Sequence, residues 1–407
     1  MKFKLLLIVI FSIVFSAKAQ VKILFDATKA EMASNADWVI DADVHNLKAT
    51  SSGTMVTSGS DSNPQMIPTP AQSGITSSTP ETYWNGALSA WAIDLVKLGY
   101  TVETLPYTGK ITYGDANNAQ DLSNYKVFVI DEPNFRFPLS ERDALINFVK
   151  NGGGLFIISD HNISDRNNDG WDSPHIWNDI FTTNSIQSDP FGISFDLANI
   201  SGSTTNFASL PSNPILHGAS GAPTEMQFFN GTTMTLNTTD NPSVQGLVFR
   251  SGASTTGLVN VMFATSTYGS GKVCALGDSS VPDDGTGDTG DSLYNGYTAD
   301  ANGNHKPLLL NATVWLATNS ALSVNDLAKS EADVEIFPNP SSDYIYIKNN
   351  KGNNTNYTVT ISDASGKLVF SKAINSNQID IKNLQKGLYY LSVKTETGLK
   401  NFKIIKK

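Results

Sequence analysis

The stretch Gly152–Asp172, GGGLFIISDHNISDRNNDGWD, constrains the fold more than any other part of the chain. A glycine turn feeds an apolar run, Leu155–Ser159, which stops at Asp160-His161 and enters a loop of alternating carboxylates and amides. A short apolar run bounded by turn residues reads as a buried strand. Three other runs have the same form: Val21–Phe25 ends at Asp26, Lys126–Ile130 at Asp131-Glu132, and Lys272–Leu276 just before Asp278. Tyr100–Leu105 adds a further strand. Helical spacing lies between them. Ala87, Leu88, Trp91, Leu95 and Leu98 mark a helix over Thr82–Leu98, closed by Gly99. Leu145, Ile146 and Val149 mark a second, with Ser140 as cap and Asp143 in the capping-box position. Pro307–Thr318 reads as a closing helix. Apolar strands alternating with helices predict a parallel sheet covered on both faces. In such sheets the carboxyl ends of the strands share one rim, where ligands bind.

The two ends of the chain read differently. Lys2 and Lys4 precede the apolar run Leu5–Phe15, and Ala17-Lys18-Ala19 has the form of a cleavage site, so residues 1–19 are expected to be a signal peptide. That run is too short to span a membrane, and no other stretch reaches the ~20 apolar residues a span needs. Cys274, the single cysteine, lies in the apolar KVCAL run and is expected to be a buried strand residue. Residues 20–332 carry 14 basic and 32 acidic side chains. That imbalance repels phosphate backbones and argues against a nucleic-acid partner. It suits a divalent cation, and equally suits solubility alone. Residues 320–332 read as a linker, and residues 333–407 as a small β-sandwich of alternating strands with turns at Asp363–Gly366 and Thr397-Gly398.

Two resemblances follow from these residues. The tail resembles the C-terminal sorting domain of the type IX secretion system of Bacteroidetes, through Phe337-Pro338-Asn339-Pro340, the Asp363–Gly366 turn, Leu384–Tyr389 and the lysine-rich end. That implies export across the outer membrane by the secretion machinery, then release or surface attachment. The body, residues 20–319, resembles the class I glutamine-amidotransferase-like superfamily, in its divergent, trehalose-utilisation-type members. The carrying residues are Asp131-Glu132-Pro133, Gly152–Asp160, Asn213-Pro214-Ile215, Gly271–Ser279 and Asn311–Leu316. The fold implied is a flavodoxin-like parallel sheet. The family's nucleophilic cysteine is replaced by Asp160-His161, so glutamine amidotransferase chemistry is not expected.

The expected site is the acidic rim: Asp26, Glu132, Asp160, His161 and Asp278 as acids, bases or cation ligands. Each aspartate could instead cap a helix or satisfy a turn amide. Asp165, Asn167, Asp169 and Asp172 lie in D-x-N-x-D-G spacing, the first half of a calcium loop. Ile176 stands where an EF-hand has its glutamate, so the loop is not an EF-hand. Calcium is the expected cation. His175 with Asp172 would suit zinc or manganese, and an Asx turn needs no metal. Asp283, Asp284, Asp288 and Asp291 form an acidic loop that either completes the site or is merely solvated. No serine-hydrolase elbow, zinc-protease helix or P-loop occurs; Ser159 or Ser279 would have to serve as a nucleophile with His161. Trp38, Tyr83, Trp84, Trp171, Trp177, Tyr294 and Tyr297 are candidates for stacking on sugar rings or for core packing. The expectation is a secreted or surface-displayed hydrolase of extracellular, carbohydrate-type substrate. The alternative is a non-catalytic glycan-binding protein with structural calcium.

Overall fold

The apolar runs have no polar face to leave wet. In the computed structural model of the chain they form the middle of a nine-stranded sheet. The structure describes residues 20–33, 36–41, 46–49, 55–58, 71–287, 293–297, 305–318, 334–349, 356–363, 368–394 and 399–407. The expected signal peptide and linker, with Asp288 and Asp291, lie outside these ranges. The chain divides into two compact units, residues 1–321 and 322–407.

In the first unit, five strands run parallel: β1 (Lys22–Asp26), β2 (Thr101–Leu105), β3 (Val127–Asp131), β4 (Gly154–Ile158) and β9 (Gly271–Leu276). Between β4 and β9 the chain makes β5 (Ile193–Phe195), β6 (Met234–Leu236), β7 (Gln245–Phe249) and β8 (Val261–Tyr268), all paired antiparallel. The order across the sheet is β2-β1-β3-β4-β9-β8-β6-β5, with β7 also on β8. Its parallel part has the flavodoxin-like order expected from the sequence.

Among the described residues four helices cover this sheet: α1 (Ser89–Lys97), α2 (Leu139–Lys150), α3 (Ser173–Thr183) and α4 (His305–Ala317). Right-handed crossovers place α1 and α2 on opposite faces. Trp91 of α1 packs edge-on against Phe25 and Phe156, and a Cβ on Gly154 would lie 2.8 Å from Leu316 of α4, so α1 and α4 share a face. Arg142 of α2 pairs with Asp179 of α3 at 2.8 Å on the other face.

Two helix starts differ from the spacing. α1 begins at Ser89 rather than Thr82, because the Asp284 carboxylate accepts from the Ser89 hydroxyl and the Ala90 amide and fixes the first turn there. α2 begins at Leu139 with Pro138 as its cap residue, which puts Ser140 inside the helix. Asp143 accepts from the Ser185 amide and hydroxyl instead of closing a capping box. α3 was not foreseen. Asp172 caps it by accepting from the His175 amide at 3.1 Å, and Pro174 sits in its first turn.

Strand register decides which rim residues share a face. Phe25 pairs with Val129 and Val129 with Phe156, while Asp131 pairs with Ile158 and Ile158 with Leu276. Carried past the strand ends, the alternation puts Asp131, Asp160 and Asp278 on the α1/α4 face. Asp26 falls on the opposite one.

In the second unit a three-stranded sheet (Val334–Phe337, Tyr344–Asn349, Gln378–Asp380) and a four-stranded sheet (Tyr357–Asp363, Leu368–Ile374, Gly387–Lys394, Leu399–Lys406) share one apolar core. Ile345, Ile347, Val359, Ile361, Leu391 and Val393 are buried in it at every second position, the pattern of a β-sandwich.

Candidate functional site

Glu132 is the hub of the rim. It leaves β3 with φ 45°, a left-handed conformation that a residue other than glycine adopts only when its surroundings enforce it. The turn swings its side chain toward Asp160. The residue is fully buried. One oxygen accepts from the Trp38 indole N–H at 3.0 Å and the Ser279 hydroxyl at 2.7 Å. The other accepts from Arg166, Nε at 2.9 Å and Nη2 at 2.8 Å. Arg166 Nη2 also reaches Asp160 Oδ2 at 2.9 Å. Burial opposes the charge on Arg166, but Glu132 and Asp160 outweigh it and raise its pKa. Burial, then the charges of Glu132 and Asp278, push the Asp160 carboxyl well above the carboxylate range, and the Arg166 guanidinium draws it back down.

His161 Nδ1 lies 3.0 Å from Asp160 Oδ2 and 3.1 Å from the Asn230 carbonyl oxygen. A carbonyl only accepts, so Nδ1 carries the proton and Nε2 keeps its lone pair. Burial, then the Arg166 charge, draw the His161 pKa below 6.5, which leaves the ring neutral at pH 7. Among the described residues Nε2 has no partner, and neither has Arg166 Nη1. The His161 side chain is 14% exposed and that of Arg166 23%, against 4% for Asp160 and 0% for Glu132. Tyr294, 43% exposed, stands close enough to sense Asp160, Asp278 and Arg166, and its ring packs on Phe229 beside Asn230.

The rim therefore gathers Glu132, Asp160 and His161, with Asp278 close by. Asp278 is committed to the backbone, accepting from Phe229 N at 2.6 Å and Ser280 N at 2.8 Å. Asp26 does not join them. It lies on the far face and shares a buried carboxyl pair with Glu31, beside Lys29, which is 2.7 Å from Glu141. Asp131 is 2% exposed with both oxygens unpaired among the described residues, and burial followed by Glu132, Asp278 and Asp283 raises its pKa strongly.

Asp283 and Asp284 are buried struts rather than a solvated loop. Asp283 accepts from Gly285 N at 2.8 Å and Tyr294 N at 2.7 Å. Burial raises Asp278 to about 6, Asp283 to about 7 and Asp284 to about 6. The unfolded chain titrates these groups near ~4. Between those values the folded protein binds more protons than the unfolded one, so the stability they contribute is complete below pH ~4 and is lost as the pH rises through 6 to 7. Melting temperature is expected to fall from pH 5 to pH 8, and to fall less in Asp283→Asn. A flat or rising profile over that range contradicts these assignments.

The 165–172 loop is hydrogen-bonded to itself. Asp165 accepts from Asp169 N at 3.1 Å and Gly170 N at 2.7 Å, and Asp169 accepts from Trp171 N at 2.9 Å and Asn167 Nδ2 at 2.9 Å. Asp172 is occupied by Ile163 N at 2.7 Å and by His175, whose Nδ1 is 2.6 Å away. Among the described residues no group of three or more His, Cys, Asp or Glu could hold a metal ion. What the loop does present is Arg166, set between Asp165 and Asn167 and aimed at the Glu132–Asp160 pair.

Of the aromatics, Trp38, Trp84, Trp177 and Tyr297 are buried and belong to the core. Tyr83 and Tyr294 are exposed, and Trp171 stacks beneath Arg136 at 3.7 Å. Ser159 and Ser279 are buried, and neither hydroxyl contacts His161. Cys274 is buried in β9. Nothing in the residue spacing marks Arg166 as serving the rim, because loop motifs treat its position as a spacer. Nor did it point to the Asn230 carbonyl, which is a backbone atom 69 positions from His161.

These two units define a class: an exported protein with a flavodoxin-like α/β body and a sorting tail. Residues 335–407 match the family described as the secretion system C-terminal sorting domain. The tail directs the chain to the type IX machinery, for secretion or attachment at the cell surface. No helix among the described residues is long and apolar enough to cross a membrane. No curated protein matches the sequence. Among solved structures, one described as "mmIFT52 N-terminal domain" is 12% identical, covers 73% of this chain and 98% of its own, and gives a TM-score of 0.42. A protein described as thua-like, from Parabacteroides merdae, is 14% identical, covers 74% of this chain and 90% of its own, and gives 0.33. The assignment of the body's fold rests on its strand order, not on these likenesses.

Proposed function

We propose that the body is a hydrolase of extracellular carbohydrate material, with His161 as its general base. The observation that carries this reading is the placement of His161 Nδ1 against the Asn230 carbonyl oxygen, which assigns the proton to Nδ1. Asp160 and the Asn230 carbonyl hold Nδ1, which leaves the Nε2 lone pair without a partner among the described residues, and Nη1 of Arg166 is likewise without one. Nε2 takes a proton from water as it attacks, and Arg166 donates to the oxygen on which negative charge develops. Glu132 and Asp160 position Arg166 and the imidazole. Arg166 supplies the positive charge for that oxygen from the protein itself.

The test is turnover by the full exported chain on a panel of polysaccharides, glycosides and esters. Activity that disappears in Asp160→Asn, in protein that melts normally, supports the enzyme. Binding of glycan with no turnover of any panel member supports instead a non-catalytic surface module. The commitment of both Glu132 oxygens and of Asp278 to internal donors favours that second reading.

Calcium is proposed for the 165–172 loop as a brace, outside the proton-transfer set. Each Asp165 and Asp169 oxygen that holds an amide keeps a further lone pair, and Gly170 at φ 92° makes the sharp turn such loops need. Calcium at ~100 times its Kd is expected to add about 3 kcal/mol of stability, removed by EDTA and restored by calcium but not by magnesium. Identical melting with and without EDTA contradicts the brace.

A further inference from the structure

Ile163 has no reason of its own to be where it is. It is β-branched, yet its φ is 65°, and its side chain is 78% exposed. Left-handed backbone is strained for such a residue, and an isoleucine in water wastes its burial. The turn is nevertheless fixed from three sides. Ile163 N donates to Asp172 at 2.7 Å, Asn162 N to the Ala198 carbonyl at 2.9 Å, and the Ser164 hydroxyl to the His161 carbonyl at 2.7 Å. Leu197, next to Ala198, is 50% exposed. Asn230, whose carbonyl meets His161 Nδ1, follows Phe229, whose ring packs on Tyr294. The Asn162–Ala198 hydrogen bond thus brings the segments of two exposed apolar residues, Ile163 and Leu197, together next to His161 in the chain.

We propose that Ile163 and Leu197 form an apolar lip that seats the acyl group of an O-acylated carbohydrate, making the body an esterase. This rests on the hydrolase reading and narrows its substrate. The chemistry points the same way. The two carboxyls that glycoside hydrolysis would need to face solvent, Glu132 and Asp160, are 0% and 3% exposed, whereas the His161 and Arg166 side chains keep 14% and 23% of their surface in solvent. Water oxygen bonds to the acyl carbonyl carbon while its proton passes to His161 Nε2. Arg166 Nη1 donates to the carbonyl oxygen. The bond from that carbon to the sugar oxygen then breaks, and the departing oxygen takes the proton from His161. The products are a carboxylic acid and a free sugar hydroxyl.

The experiment compares the full chain with Ile163→Asn on p-nitrophenyl acetate, butyrate and hexanoate, and on acetylated and deacetylated polysaccharide. Asparagine is at ease in left-handed backbone, so the variant is expected to melt no lower than the native chain. In the native chain KM should fall about 4-fold for each buried methylene. In Ile163→Asn that dependence on acyl length should flatten. An unchanged length dependence in the variant overturns the lip. Turnover of deacetylated polysaccharide alone, abolished by Asp160→Asn, overturns the esterase and leaves the hydrolase standing. No turnover of any substrate overturns both.

Discussion

His161→Gln is expected to lower turnover by about 10²–10⁴-fold, the usual contribution of a general base. Glutamine keeps a side-chain N–H for the Asn230 carbonyl but has no lone pair of useful basicity, so the local hydrogen bonding survives while proton transfer does not. Stability should change by no more than about 0.5 kcal/mol, since no apolar core is disturbed. The native pH profile carries the same information. The neutral ring is the active form, so activity is lost as the pH falls through the His161 pKa. Burial and Arg166 place that pKa below 6.5, and the acid limb should bend there. An acid limb centred above 6.5, or a His161→Gln variant that retains native turnover, removes His161 from the reaction.

Glu132→Ala should cost about 3–5 kcal/mol of folding stability, the loss that follows when one partner of a buried ion pair is removed. Arg166, the Trp38 indole and the Ser279 hydroxyl all lose their acceptor at once. The alanine would also inherit the φ of 45° without the interactions that enforce it. Glu132→Gln keeps an acceptor and the shape, and should cost about 1–3 kcal/mol. Urea unfolding of both variants measures the difference. A loss below about 1 kcal/mol in Glu132→Ala would show that the hub is not what holds Arg166 against Asp160.

The parallel strands and their acidic ends were legible because uniform apolar runs between helices admit few arrangements. Which ends meet was hidden by one detail, the register between neighbouring strands. Asp26 closes β1 as Asp131 closes β3, yet register sets them on opposite faces, and Asp26 pairs with Glu31 instead. Glu132 was legible as a strand-end acid but not as the centre, since its left-handed turn is a property of the folded loop. Asp283 and Asp284 could be read as completing the site or as a solvated glycine-rich loop, and their burial comes from contacts with Ser89 and Ala90, far away in the chain, and with Tyr294. The aromatics divided by burial, which composition alone does not reveal. The tail was the most legible part, because its alternating strands and its Phe337-Pro338-Asn339-Pro340 motif are local in sequence.

One spectrum goes to the heart of the matter: the ¹⁵N titration of the His161 imidazole in the intact chain, assigned by its loss in His161→Gln. The expected result is a neutral ring at pH 7 with its proton on Nδ1, titrating below 6.5. A ring protonated on Nε2, or an imidazolium at pH 7, contradicts the account, because no lone pair would then face the substrate.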